Sequence, residues 1–243
     1  YQSRKEIWTY IGFKHINGPN PWDSYSKAHH IATVHENYSQ SLDDIARQIG
    51  DRHMTVLRLY RGYRVLQQAQ KEAGFDIEDR YKSRFAFSHL YTALDQPDFL
   101  HFVGVDAHAD PDSQSVPKDN LSNLSKLMTW LYGKKSQGIQ PLVHSQNPDL
   151  KRLREAIANP QSLTALRAGR SLDLAHELSI PDNRKLRTAL TFAKQYLQGA
   201  RGAVVTGYEG DQDLYDIAKD IMMLASATLG DMEKARSSGS LKL

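Results

Sequence analysis

The stretch SLDDIARQIGDRHMTVLRLYRGYRVL, residues 41–66, has the pattern of two helices joined by a tight turn. Ser41 stands where a helix N-cap belongs, because its hydroxyl can accept a hydrogen bond from a first-turn amide. Leu42, Ile45 and Ile49 follow at helical spacing and predict one apolar stripe. The first half of the stretch is therefore expected to be a short amphipathic helix.

The second half supplies the features that a helix-turn-helix needs. Ala46 is a small residue where two helices can cross, and Gly50 permits the positive φ of a tight turn. Val56 and Leu59 then give the second helix a buried stripe. This order predicts a helix-turn-helix, whose second helix places its N-terminal part in the major groove of DNA.

The same spacing predicts which side chains of the second helix face outward. Its inward positions are expected to be Val56, Leu59, Tyr63 and Leu66. Its outward positions are then His53, Met54, Leu57, Arg58 and Arg61.

Six residues are candidates for DNA contact. Arginine can pair bidentately with guanine, and threonine or histidine can reach base edges or phosphate. Backbone amides of the first turn, near Arg52 and Thr55, can also hold a phosphate. Arg64 lies farther along the helix and is expected to contact the DNA backbone. The candidates are Arg52, His53, Thr55, Arg58, Arg61 and Arg64. The alternative is an ordinary helical hairpin whose arginines form a solvated face.

The charge distribution matters more than the total charge. The 243 residues include 31 Lys and Arg against 28 Asp and Glu, a net charge of +3, which is too weak to indicate a nucleic-acid partner. Between Arg52 and Lys71, however, no acidic residue interrupts the basic ones. The chain has no cysteine, no signal-like segment and no apolar run near the roughly 20 residues of a membrane span. We expect a cytoplasmic protein without membrane contact.

Apolar residues recur at three- and four-residue spacings along most of the chain, which predicts an all-α helical bundle. Ser171 is a second expected N-cap, and Gly133, Gly169 and Gly199 are expected helix ends. The predicted helices cover residues 4–13, 22–36, 42–49, 53–72, 85–94, 121–132, 149–158, 163–168, 172–178, 183–197 and 214–229.

The chain divides on this pattern into three parts. Residues 1–80 are the expected helix-turn-helix domain, residues 81–120 a connecting segment, and residues 121–243 a C-terminal helical domain. The segment 106–120, DAHADPDSQSVPKDN, is rich in Asp, Ser and Pro and predicts a loop or linker.

The same segment matches the DAHxD cluster of arginase-like ureohydrolases through Asp106, His108 and Asp110. Carboxylate and imidazole groups can bind metal ions, but the GGDH and SxDxDxxDP elements of those enzymes are missing from the chain. We interpret the segment as a polar loop and leave a metal-dependent hydrolase as the weakest alternative. No catalytic residue, metal ligand or cofactor is assigned, and histidines such as His35 and His89 are expected to be structural.

Two apolar patterns in the remaining chain are interpreted as packing surfaces. The aromatic side chains of Phe85, Phe87, Tyr91, Trp130 and Tyr132 are expected in the core. In the final helix an apolar stripe predicts burial within the chain, or alternatively a helix–helix contact in a homodimer that reads a two-fold DNA site. Its residues are Leu214, Ile217, Ile221, Leu224 and Leu229.

The order HINGPNPWDSYSKAHHIATVHENYSQSLDDIARQIGDRHMTVLRLY, residues 15–60, resembles the central DNA-binding region of the ParB superfamily. Residues 4–22, with Arg4 and Glu6 near the family's RE-like dipeptide, are similar to the part that precedes it. The segments FAFSHLYTAL, WLYGKK and 139–175 are similar to the helical C-terminal half of some bacterial ParB-domain proteins.

This resemblance implies a bacterial, ParB-like protein that binds double-stranded DNA as a homodimer. It is consistent with roles in plasmid or chromosome partition, regulation or anti-phage defence. The segment GDRHMTVLRLYRGY differs from the GKSRxxVxNxLRLL pattern of the chromosome-segregation members, so their centromere-like site is not implied. The chain opens on Tyr1 and lacks a GNRR-like motif, so we expect any nuclease or nucleotide hydrolase activity in an upstream domain. The alternative function is a protein-interaction adaptor without DNA contact.

Overall fold

The computed structural model describes residues 22–49, 51, 54–113 and 115–238. Within these residues the chain forms eleven α-helices and no β-strand, which confirms the all-α prediction. The predicted helix at 4–13 lies outside the described residues. The helices are α1 (Ser24–Tyr38), α2 (Leu42–Ile49), α3 (Thr55–Glu72), α4 (Phe87–Ala93), α5 (Pro97–Val103), α6 (Leu121–Tyr132), α7 (Lys151–Ala158), α8 (Pro160–Arg167), α9 (Leu172–Ser179), α10 (Asp182–Gly207) and α11 (Gln212–Ser237).

Several helix ends follow the expected capping chemistry. Ser41 Oγ accepts a hydrogen bond from the Asp44 amide at 3.1 Å, and Ser171 Oγ accepts one from the Leu174 amide at 3.4 Å. Gly133 lies at the end of α6, as expected. Gly199 does not end a helix, because α10 continues through it to Gly207. A glycine inside a helix costs only about 1 kcal/mol, which is too little to stop a long one.

The helices fall into two compact units, one up to Ile180 and the other from Pro181 onward. The boundary that the sequence suggested between residues 120 and 121 lies inside the first unit, where α6 packs against α3. The segment 106–120 is not a free linker either. The Gln68 side chain donates to the Val116 carbonyl and accepts from the Val116 amide, both at 2.8 Å.

Helix α3 is the centre of the first unit, because α1, α2, α4 and α6 all pack on it. Nine of its 18 residues are buried, so burial extends well beyond one stripe. Helices α7, α8 and α9 form a second group, which joins the first through α5. Helix α5 was not predicted from the sequence, although Pro97 at its first turn and Gly104 at its end are typical helix signals.

The core of the first unit contains the aromatic side chains that were expected there. Phe87 is 1% exposed, Tyr132 5% and Trp130 7%, and Phe85 and Tyr91 are partly buried against the same cluster. These side chains are therefore core residues rather than an exposed surface for stacking on bases.

The second unit consists of α10, a short connection and α11, each helix being 26 residues long. Neither helix has a buried residue. The expectation that the stripe of the final helix is buried within the chain is therefore wrong, since its five side chains are 36% to 69% exposed. Among the described residues, no helix combines the length and the apolar character needed to cross a membrane.

The turn after α6 generates a test of the fold. Gly133 has φ 71° and ψ −174°, and an added Cβ would lie 2.5 Å from the Ile139 carbonyl oxygen. We expect Gly133→Ala to destabilise the protein by about 2 kcal/mol or more, because it combines a glycine-only conformation with a backbone clash. The matched control is Gly138→Ala, whose φ is also positive but whose Cβ would meet open space. It should cost about 1 kcal/mol. Thermal unfolding of both variants measures the difference, and equal losses would contradict this account.

Candidate nucleic-acid interface

The turn between α2 and α3 is held by backbone and carboxylate hydrogen bonds. The Asp51 amide donates to the Ala46 carbonyl at 2.9 Å, and Asp51 Oδ2 accepts from the Val56 amide at 2.7 Å. Met54 has a positive φ of 54° immediately before α3 begins. The Val56 amide is therefore already occupied, so this donor of the first turn is not free to hold a phosphate.

The expected inner face of the pair is confirmed. Val56 is 2% exposed, Leu59 3%, Tyr63 8% and Leu66 is fully buried. On the other side, Met54 is 66% exposed and Thr55 is also exposed. The first turn of α3 is thus exposed, whereas Val56 and Leu59 pack into the core.

The six candidate residues are placed very differently by the structure. Arg52 and His53, like Gly50 in the turn, lie outside the described residues, so their role stays a sequence prediction. Thr55 is exposed at the start of α3. Arg58, Arg61 and Arg64 each bind groups of the same chain.

Arg58 lies at the edge of the surface and has an internal partner for its charge. Its Nε is 3.2 Å from Asp95 Oδ2, and its guanidinium lies 5.5 Å from the centre of the Tyr91 ring. The side chain is still 29% exposed. A phosphate at Arg58 would compete with Asp95 for its charge.

Arg61 was expected on the outer side, and this placement is wrong, because the residue is only 9% exposed. Its Nη1 donates to the Leu94 carbonyl at 3.4 Å and its Nη2 to the Ala107 carbonyl at 3.2 Å. Burial lowers the pKa of Arg61, while Asp95 acts in the opposite direction. The physical reason for the misplacement is that α3 is covered on several sides, so no continuous outer face exists.

Arg64 takes part in a network that joins α1, α3 and the segment that we call the aspartate loop, residues 106–113. Arg64 Nη1 donates to Tyr60 Oη at 3.1 Å, and Tyr60 Oη donates to Asp112 Oδ1 at 2.7 Å. Burial, followed by the Asp112 contact, raises the pKa of Tyr60 to about 12. Arg64 is also 3.7 Å from Glu36 Oε1, so its charge is balanced within the chain.

His35 completes this network from α1. Its Nδ1 lies 2.6 Å from the Gln40 carbonyl oxygen, and its Nε2 lies 2.8 Å from Asp112 Oδ1. Because both ring nitrogens face oxygen acceptors, the protonated ring is favoured. Burial alone lowers the pKa of His35, but these contacts outweigh it and raise the pKa above its usual 6.5. The Tyr60 and His35 contacts in turn lower the pKa of Asp112.

The aspartate loop borders a cleft of about 460 Å³ beside the start of α3. The rim carries the carboxylates of Asp43, Asp51, Asp110 and Asp112. This concentration of acidic groups opposes the approach of a phosphate from that side. DNA would therefore have to meet the first turn of α3 from the side away from the loop.

The two aspartates of the DAHAD motif accept hydrogen bonds within turns of the loop. Asp106 Oδ1 accepts from the His108 amide and Asp110 Oδ1 from the Asp112 amide, both at 2.8 Å. Within the described ranges, no three His, Asp or Glu side chains are arranged to hold an ion. Both carboxylates of the motif thus stabilise the conformation of the loop.

A second basic surface, which sequence reasoning missed, lies in a cleft of about 670 Å³ between α6 and α8. Four cationic side chains line it, and none of its lining residues is acidic. They are Lys126, Lys134, Arg167 and Arg170. These residues are spread over 45 positions of sequence, so no local run of charge announces them. Folding alone brings them together, and the result is an electropositive groove that suits phosphate groups.

Comparison with protein-family models, with curated proteins and with solved structures finds no match for this chain.

The His35 network generates a prediction about pH. Since the folded-state pKa of His35 is raised, its stabilising contribution is fully present below the unfolded value of about 6.5 and is lost as the pH rises through the folded value. We expect the temperature of thermal unfolding of the wild type to decrease as the pH is raised from about 6 to about 8. In His35→Gln, which cannot be protonated, this part of the fall should disappear.

The matched control for this experiment is His101→Gln, at an exposed position of α5. It should keep the wild-type dependence on pH. If His35→Gln and His101→Gln show the same dependence, the proposed contribution of His35 is refuted.

Proposed function

We propose that this chain binds double-stranded DNA through a ParB-like helix-turn-helix made of α2 and α3. The observation that carries the proposal is the exposed first turn of α3, where Met54 and Thr55 project from a helix fixed by Val56 and Leu59. The resemblance of residues 15–60 to the ParB superfamily supports the same function.

In this proposal the contacts to base edges come from the turn and the start of α3. Thr55 contacts bases or phosphate there, with Arg52 and His53 beside it in sequence. Arg58 joins them after exchanging Asp95 for a phosphate. Arg61 has no role in recognition, because its guanidinium holds two carbonyl groups inside the protein.

The cleft between α6 and α8 is the second part of the proposal. Among its cations, Lys126 is exposed on α6 and Arg170 is exposed after α8, and neither lies within ion-pair distance of a carboxylate in the described part of the chain. Contacts to phosphate fix position and contribute most of the salt-dependent affinity, whereas base contacts give specificity. The cleft therefore supplies affinity, and the first turn of α3 supplies recognition.

A protein-interaction adaptor is the second candidate, and one observation favours it. The charges of Arg58, Arg61 and Arg64 are engaged within the chain, and the cleft beside the start of α3 is acidic. Such a surface suits a basic partner protein rather than DNA. Under this candidate the purified chain should not bind duplex DNA even at low salt.

The first test places the contact on α3. We expect Thr55→Glu to weaken binding of a fluorescent mixed-sequence duplex about tenfold or more, because it puts a carboxylate beside the phosphates. The matched control is Gln70→Glu, which adds the same charge at an exposed position 15 residues farther along α3, about 22 Å away. Fluorescence anisotropy at several salt concentrations measures both. Equal affinities for the two variants would remove the first turn of α3 from the interface, and failure of the wild type to bind would favour the adaptor.

The second test concerns the basic cleft. Replacing Lys126 and Arg170 by Gln should make the dependence of log affinity on log salt shallower by up to about two, since each lost phosphate contact removes about 0.9. Lys71→Gln with Lys151→Gln removes two charges at exposed positions that do not line the cleft. That control should keep the wild-type slope. A slope that is unchanged in the cleft variant would exclude the cleft from DNA binding.

A further inference from the structure

Helix α10 carries a repeat that is typical of helices paired with other helices. Apolar or small residues follow one another at alternating spacings of four and three along its length, which is the heptad pattern of a coiled coil. They are Leu186, Leu190, Ala193, Leu197, Ala200, Val204 and Gly207. From Leu190 onward, Leu or Val at one heptad position alternates with Ala or Gly at the other, so a neighbouring helix can approach closely.

Helix α11 has a shorter repeat of the same kind. Leu214, Ile217, Ile221 and Leu224 are separated by three, four and three residues. Their exposed fractions range from 36% to 69%. Both helices of the second unit therefore present a face whose spacing fits a helix and whose side chains are uncovered.

These faces cannot remain uncovered in a stable protein. Each helix is 26 residues long, about 39 Å, and neither buries a single residue. Most helical stability in proteins comes from the packing of an apolar face rather than from helix propensity. Another surface must therefore cover the heptad face of α10 and the apolar face of α11.

The apolar area exposed on the two repeats fits a dimer interface. Eight large side chains of these repeats are between 36% and 69% exposed, namely Leu186, Leu190, Leu197, Val204, Leu214, Ile217, Ile221 and Leu224. At roughly 100 Å² of apolar surface per side chain, about half of it exposed, they leave on the order of 400 Å² of apolar surface free in each copy. A stable interface buries about 800 Å² per partner, of which somewhat more than half is apolar.

The charges of the two helices are complementary. Helix α10 has five basic residues and one acidic residue, whereas α11 has five acidic and three basic residues. The α10 of one copy and the α11 of another would therefore attract each other. The two helices also have equal length, so two copies supply four matching helices.

We propose that α10 and α11 pack against the same two helices of a second copy of this chain and form a four-helix bundle. In this bundle, each α10 lies beside the α11 of the other copy, and the heptad faces form the core. The proposal does not depend on DNA binding, because it concerns the second unit alone.

The first measurement is the mass of the 243-residue chain in solution by light scattering after size-exclusion chromatography. We expect twice the mass of one copy, which is 27.5 kDa. The temperature of unfolding monitored by helical circular dichroism should rise with protein concentration, as it does when folding is coupled to association. This second readout uses the wild type and does not depend on whether any variant folds.

Matched variants locate the interface on the heptad face. Leu190→Lys with Leu197→Lys puts two charges into the proposed core and should weaken self-association at least a hundredfold. Thr188→Lys with Gln195→Lys adds the same charges on the opposite side of α10, at exposed positions, and should leave the dimer intact. Equal association of both variants would overturn the proposal, because the interface would then lie elsewhere.

Two further results would also overturn it. A wild-type chain that stays at the mass of one copy at about 100 µM, with its helix content intact, would mean that α10 closes on its own α11. A monomer with low helix content would mean that a different protein covers these helices.

Discussion

The enclosure of helix α3 by four other helices is the constraint on which the first unit depends. Gly62 makes the closest approach possible, because an added Cβ would lie 2.8 Å from Tyr91 Cβ on α4. Around it, Tyr60 and Leu66 are fully buried on different sides of the same helix. A helix that contacts neighbours in several directions also buries polar side chains. The polar side chains of α3 that lie in these contacts must therefore find partners within the protein.

This need for partners explains the conformation of the aspartate loop. The side chain of Arg61 is buried, including its guanidinium group. A buried charge is tolerated only where hydrogen-bond acceptors surround it. The Leu94 and Ala107 carbonyls provide two acceptors, and the second of them belongs to the loop. Asp112 then binds Tyr60 and His35 at the far end of the loop. A segment that resembles a linker by composition is thereby fixed to the central helix.

The sequence predicted those parts of the structure that depend on local spacing. The inward positions of α3, such as Val56 and Leu59, follow from the helical period, and the Ser41 cap follows from the chemistry of a first turn. The period also assigned Arg61 to an outer face, since it allows for only one buried side. Burial on several sides is set by tertiary contacts, which a single helical period does not contain.

The candidate site shows the same limit. Thr55 was chosen as a candidate from its position in the first turn, and it is exposed at the start of α3. The internal partners of Arg58 and Arg64 were not, because Asp95 and Asp112 are distant in sequence. The basic cleft between α6 and α8 was missed for the same reason, as its four cations come together only after folding.

In the second unit, the heptad spacing of α10 predicts that one face of the helix is covered. The spacing does not identify the surface that covers it. The described part of the first unit buries a core within one chain, whereas α10 and α11 bury no residue. If these two helices pair with those of a second copy, as we propose, association supplies the burial that their own chain does not.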